Sequence, residues 1–257
     1  MVVIILLIAL VGLMIYQTSK NQGTDDNVLV LGMDDSFPPM GFRNENNELV
    51  GFDIDLATAV CEKLGMELEI QTISWAAKEQ ELDSGNIDCI WNGFGYTEER
   101  AEAMTLSDIY ITDESIFFVN SDSEFTTQED LKNKKIGIQT GSAQEKALEE
   151  SEFGNEVDEI VGYSDYLTAL MDLEAGNIDA VYMSKITGNY IINLQNKNFN
   201  TIEASDISSG ETGVVIAFKK GNEELKEKIE SAISELKEEG TLKEISEKWF
   251  GEDITTW

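Results

Sequence analysis

Short apolar strands alternate along this chain with amphipathic helices, joined by tight small-residue turns, and this alternation most narrowly limits its fold. Val28 to Met33 (V-L-V-L-G-M) is wholly apolar, the kind of strand that a parallel sheet buries on both faces. Residues 53–64 read as a helix that Asp53 can cap, with Ile54, Ala57, Val60, Cys61 and Leu64 on one face and Gly65 at its end. Residues 67–73 alternate as a strand, 76–82 read as a helix stopped by Ser84-Gly85, and 87–91 form the next apolar strand. Strand–helix–strand–helix–strand with short connections predicts a parallel α/β sheet whose ligands sit at the strand C-terminal ends.

The pattern starts again further on. Residues 115–120 and 135–139 read as strands, and Thr140-Gly141-Ser142-Ala143-Gln144 is a small-residue turn that opens a helix through about Glu150. A strand at 159–161, a helix at 166–175, a buried strand at 178–183 and a helix from Lys185 toward Leu194 complete a second unit. The segments L-D-S-G-N-I-D-C-I (82–90) and L-E-A-G-N-I-D-A-V (173–181) echo each other, one supersecondary solution used twice. A last apolar strand at 214–218 precedes an amphipathic helix at 222–236 and a terminal helix at 242–249. The order predicts two lobes, with 115–120 and 214–218 carrying the chain between them and the C-terminal tail packed back on the first.

Within the first unit, residues 88–100 (D-C-I-W-N-G-F-G-Y-T-E-E-R) carry the most chemistry. An apolar run gives way to Asn92, Gly93 and Gly95, then to a helix start at Thr97 with Arg100 one turn on. The glycines carry no Cβ and admit a ligand close to the backbone. Free N–H groups, a helix start and a fixed cation together suit a carboxylate. Arg43 and Arg100 are the only arginines in a chain of formal charge −32, so an arginine beside a glycine turn is conspicuous. The same spacing also fits an arginine that merely pairs with a neighbouring carboxylate.

Composition removes several functions. The excess of 50 acidic over 18 basic residues repels nucleic acid and anionic lipid headgroups. With no histidine, Ser-His-Asp and Cys-His catalysis and His-ligated zinc are excluded. Cys61 and Cys89 lie in apolar stretches without metal-ligand spacing and read as small buried hydrophobes, or as a disulfide if they approach in an oxidising compartment. Residues 2–16 form an almost unbroken apolar run that reads as an export signal or an uncleaved membrane anchor.

At this point the residues resemble a known family, the solute-binding proteins of ABC importers for polar amino acids. The matching stretches are F-P-P-M-G-F (37–42), L-V-G-F-D-I-D-L-A (49–57), N-G-F-G-Y-T-E-E-R (92–100), L-K-N-K-K-I-G-I-Q-T-G-S (131–142), G-N-I-D-A-V (176–181), and K-K-G-N-E-E-L (219–225) through E-K-W-F-G (247–251), in family order. The resemblance implies an α/β, two-lobed periplasmic-binding-protein fold of type 2, each lobe a mostly parallel sheet flanked by helices, with two crossover strands as hinge. It implies a first lobe at 24–117 and 213–257, a second at 118–212, and a signal or anchor at 1–23. The partners implied are a small-molecule ligand and an ABC permease, with the protein itself a monomer outside the cytoplasmic membrane, needing no cofactor or metal.

Carried over by position, the resemblance implies that Phe37 and Trp75 sandwich the ligand side chain. Arg100 pairs with its α-carboxylate, helped by the backbone at Gly95 and by Ser142 and Ala143 across the cleft, while Asn92 and Gly93 add polar contacts. Two positions depart from the family. Gly95 replaces a usual Thr or Ser, and Ser184 stands where an Asp usually holds the ligand ammonium. A buried ammonium without a carboxylate costs several kcal/mol, so either another acid substitutes (Asp34, Asp35, Glu114 and Glu211 are candidates) or the ligand is no ordinary α-amino acid. A sensing module for a membrane partner is one alternative reading. A cyclohexadienyl-type dehydratase on the same fold, needing an acid such as Glu114 or Glu211, is another.

Overall fold

A computed structural model of the chain describes residues 27–195, 197–205, 207 and 213–257. The apolar run at 2–16 and the candidate acid Glu211 lie outside these residues. Two five-stranded sheets organise the rest. The first contains β1 (Val28–Met33), β5 (Glu67–Thr72), β6 (Cys89–Ile90), β7 (Thr105–Leu106) and β13 (Ala217–Phe218), in the order β5-β1-β6-β13-β7. The second contains β8 (Ser115–Asn120), β9 (Lys135–Gln139), β10 (Glu159–Tyr163), β11 (Ala180–Ser184) and β12 (Phe199–Glu203), in the order β10-β9-β11-β8-β12. In each, three parallel strands are followed by one that runs antiparallel to them and a fifth antiparallel to that one, so one topology is used twice.

The echoed sequences explain part of that likeness. Gly85 and Gly176 both adopt the left-handed conformation after a helix, with φ of 76° and 75°. Three residues later, Asp88 accepts the Val30 N–H at 2.8 Å and Asp179 accepts the Lys135 N–H at 2.9 Å. Each aspartate thereby satisfies a backbone donor where its neighbouring strand begins, and fixes the strand register. G-N-I-D is thus a helix stop and a strand clamp in one.

The helices cover the sheets as the apolar stripes require. α1 (Phe52–Leu64) buries Phe52, Ile54, Leu56, Ala57, Val60 and Cys61, and it ends at Gly65 with φ 67°. Asp53 does not cap it: the preceding Gly51 occupies the cap position, and the Asp53 carboxylate points inward. α7 (Glu223–Glu239) and α8 (Thr241–Phe250) pack on the same core, where Ile229, Ile233, Leu242 and Trp249 join α1 and β1. The C-terminal helices therefore pack against the first sheet. Burying these side chains contributes about 1.5–3 kcal/mol each for a full-sized aliphatic or aromatic group.

The crossings differ in detail from the sequence expectation. Strand β8 pairs only with β11 and β12 and belongs wholly to the second sheet. The chain leaves the first sheet through the extended residues ahead of it, where Ile111 bridges to both Val214 and Thr255. The return enters at Gly213 and Val214. Cys61 and Cys89 are both buried free thiols in the first core.

Candidate functional site

A cavity of about 280 Å³ opens between the two sheets, at the C-terminal ends of their parallel strands. Phe37, Gly93, Gly95 and Val214 line it from the first sheet's side, and Ala143, Gln144, Tyr182 and Ser184 from the second's. The crossing residues Ile111, Asp113, Glu114 and Ser115 form its back wall. Clefts of this kind, at a junction and built from a few polar groups on an apolar lining, are where small ligands bind.

The first wall is shaped by glycine. Gly93 has φ 59°, and a Cβ there would lie 2.5 Å from the Phe37 ring. Its N–H donates to the Asp53 carboxylate at 2.7 Å, and the Tyr110 hydroxyl donates to the other oxygen at 2.7 Å. Burial pushes the Asp53 carboxyl up to about 7, against the opposing pull of those two donors. Gly95 faces the second wall directly, and a Cβ there would stand 3.0 Å from that of Ala143. The two turns singled out by sequence are therefore in contact.

Arg100 lies behind that contact. The Thr97 hydroxyl accepts its N–H at 3.1 Å, which caps the short helix α3 (Glu98–Ala103) and fixes the side-chain direction. The guanidinium lies 4.0 Å over the Phe94 ring and donates to the carbonyls of Gly95 at 2.7 Å and Gly141 at 3.0 Å. Lys78, in α2 (Lys78–Ser84) and only 2% exposed, donates to the same Gly141 carbonyl at 2.8 Å. Burial holds the Lys78 ammonium down at about 8, with the Arg100 charge as the next cause, and burial holds Arg100 down at about 10. The exposed Glu79 is their nearest counter-charge, 3.5 Å from Lys78 and 3.7 Å from Arg100. Two cations converging on one carbonyl form a strongly positive spot, with an affinity for an anionic oxygen.

Of the residues named from sequence, the cavity gathers Phe37, Gly93, Gly95, Ala143 and Ser184. It does not include four others. Trp75 is 7% exposed and packs edge-on to Phe94 in the core, with ring centroids 6.1 Å apart. Asn92 is buried beneath the Asp34 turn, where its side-chain oxygen accepts the Asp34 N–H at 3.1 Å. Ser142 caps α4 (Ala143–Glu150) by accepting the Glu145 N–H at 3.0 Å. Arg100 lines a separate cavity, together with Lys78, Gly141 and Ser142.

The candidate acids also separate. Asp35 pairs with Arg43 at 2.5 Å on the surface. Asp34 is buried and accepts from Ser36 and, at 2.7 Å, from the Gln139 amide of the opposite sheet; burial raises its pKa. Glu114 lines the cavity but is paired with Lys185 at 3.0 Å, and Glu203 shares that lysine at 3.7 Å. Asp113 and Lys78 carry no sequence signal of their own. Each is one charged residue in a strongly acidic chain, marked out only by what the fold packs around it.

Three comparisons bear on the site. A profile of the bacterial extracellular solute-binding proteins, family 3, matches residues 29–252. The L-cystine-binding protein TcyJ of Escherichia coli (strain K12) is 32% identical over 238 residues, covering 92% of this chain and 86% of that protein. The arginine-binding extracellular protein ArtP of Bacillus subtilis (strain 168) is 29% identical over 236 residues, 90% of each. The crystal structure of an ABC uptake transporter substrate-binding protein from Streptococcus pneumoniae, with bound histidine, aligns with a TM-score of 0.85 at 34% identity, covering 90% of this chain and 96% of that one.

Proposed function

The chain belongs to the bacterial extracellular solute-binding proteins of family 3, and from that premise we propose that it captures a small polar amino acid, or a related carboxylate, between its two lobes. It is the extracytoplasmic binding component of an ABC transporter, and its partner is the membrane permease of that transporter. The cavity lined from both sheets carries this reading, because a ligand seated there touches both walls and the crossing residues at once. A solute that bridges two bodies stabilises their closed arrangement by its differential affinity for it.

In this reading the lobes are residues 24–117 with 213–257, and residues 118–212. The ligand carboxylate takes the place of the Gly141 carbonyl at Arg100 and Lys78 when the cleft opens and recloses. Phe37 and the Cβ-free face of Gly93 lie against the ligand body, and the Ala143 N–H faces its polar end; the Gly93 N–H itself is taken by Asp53. Trp75 and Asn92 act from behind, by supporting Phe94 and the Asp34 turn. Capture involves no turnover. Residues 1–16 export or anchor the chain; among the described residues no helix is long and apolar enough to cross a membrane.

A thermal-shift screen tests the reading. The probes are the twenty proteinogenic L-amino acids, L-cystine, and matched amines and carboxylates. At about a hundredfold excess over Kd a ligand adds about 2.7 kcal/mol, or roughly 5–10 °C for a protein of this size. A shift with one or a few amino acids, with the solute recovered unchanged, is the expected result. No shift with any of them refutes amino-acid capture, and a chemically altered solute refutes capture without turnover.

A further inference from the structure

Strand β11 ends at Ser184 and brings no carboxylate to the cavity, but Asp113 reaches the same spot from the crossing segment. The Ser184 hydroxyl accepts the Thr187 N–H at 3.1 Å and lies beside the Asp113 carboxylate, whose charged form it favours. The Ile186 N–H, at the start of α6 (Lys185–Gln195), donates to Asp113 Oδ1 at 3.4 Å. These contacts hold the carboxylate in one orientation on the cavity wall.

Charge distinguishes Asp113 from its neighbours. Three carboxylates line the cavity, and the Glu114 and Glu203 carboxylates share Lys185. Among the described residues no lysine or arginine pairs with Asp113, and the charge facing it is the like charge of Glu114. Burial pushes its carboxyl up to about 6. A partly buried anion with its hydrogen-bond donors in place but no counter-cation lacks only the cation. On the side of the cavity away from Asp113 lies the glycine turn, and the cationic pair Lys78 and Arg100 lines a separate cavity behind it.

We propose that Asp113 is the residue that selects a protonated amine on the ligand, with Ser184 positioning its carboxylate. This rests on the amino-acid reading above and adds its missing half: the acid is supplied by the crossing segment and not by strand β11. Solutes carrying a free amine and a carboxylate fit; a simple carboxylate leaves Asp113 unpaired and binds poorly. A purely structural role, as a cap for α6, predicts a different outcome, because asparagine caps as well as aspartate but carries no charge.

Calorimetric titration of the whole chain separates these roles, using the twenty proteinogenic L-amino acids, L-cystine and their Nα-acetyl counterparts. Acetylation should abolish binding to the wild type. Asp113→Asn should weaken binding about a hundredfold or more, the loss expected when one partner of a buried charge pair is removed, with its melting temperature close to that of the wild type. Adding Ser184→Asp to Asp113→Asn should restore about tenfold or more, because the new carboxylate lies at the same spot. An affinity in Asp113→Asn within about threefold of the wild type, or equal binding of the acetylated solute, overturns the proposal while leaving amino-acid capture intact. The acetyl comparison needs no variant, and equal binding there overturns the proposal even if Asp113→Asn fails to fold. No binding of any L-amino acid to the wild type overturns both.

Discussion

At the scale of single residues, the site depends on two features that oppose ordinary folding preferences. Gly93 holds a left-handed φ with the Phe37 ring against it. Gly93→Ala should cost about 1–2 kcal/mol in backbone strain before the clash with Phe37 is counted. It should lower both melting temperature and ligand affinity, and a variant that matches the wild type in both would show that the turn is not constrained. Asp53 is the second feature. Its carboxyl is raised to about 7 by burial, against an ordinary value of 3.8. Below about pH 4 the group is protonated whether the chain is folded or not. Between these values the folded chain alone keeps the proton, so stability falls as pH rises, by up to about 1.4 kcal/mol per pH unit, and above about 7 the full cost is present. Asp53→Asn cannot ionise, so the stability of the wild type relative to this variant should fall between pH 4 and 7. A constant difference across that range would show that Asp53 is ionised throughout. Arg100→Ala, by contrast, should abolish binding of any carboxylate solute in the same calorimetric assay, and unchanged affinity would remove Arg100 from the site.

At the scale of elements, the two lobes meet through contacts that do not involve a ligand. Lys78 of α2 and Arg100 of α3 both donate to Gly141, and Gln139 at the end of β9 donates to Asp34. Hydrogen bonds from charged donors contribute about 1.5–3 kcal/mol each when well made. Lys78→Leu keeps the buried volume and removes one donor. The unliganded variant should therefore populate open forms, read as a larger radius of gyration by small-angle scattering; an unchanged radius would show that Lys78 does not hold the lobes together. This is also the scale at which the sequence was most informative. Strands β1, β8 and β9 and the long C-terminal helices follow from apolar runs and 3.6-residue stripes. The ribbon of β2 (Ser36–Phe37), β3 (Gly41–Arg43) and β4 (Leu49–Val50) gave no periodic signal, because strands of two or three residues are too short for alternation to register. Phe199–Glu203 (F-N-T-I-E) carries no apolar alternation, because only Ile202 in it is fully buried. The carboxylate turn was legible because glycine, a capping threonine and a scarce arginine are local features. Asp113, Lys78 and the displacement of Trp75 were not, because each is defined by a partner far away in sequence.

At the scale of the molecule, one topology appears twice, and the cavity forms where the two copies present their strand ends to each other. The formal charge of −32 surrounds a spot where Lys78 and Arg100 are buried together, so a carboxylate would travel through a repelling field to reach an attracting site. A zwitterion carries no net charge and avoids that repulsion, which agrees with a solute bearing both an amine and a carboxylate. The account as a whole holds that such a solute lies across the junction with its ends in opposite-sign environments. A crystal structure of the wild-type chain with the strongest amino acid from the thermal-shift screen tests this most directly. The expected result is one molecule in the interlobe cavity, its carboxylate on Arg100 and its amine within hydrogen-bond distance of Asp113. A solute bound outside the cavity, or one with its carboxylate turned toward Asp113, would contradict it.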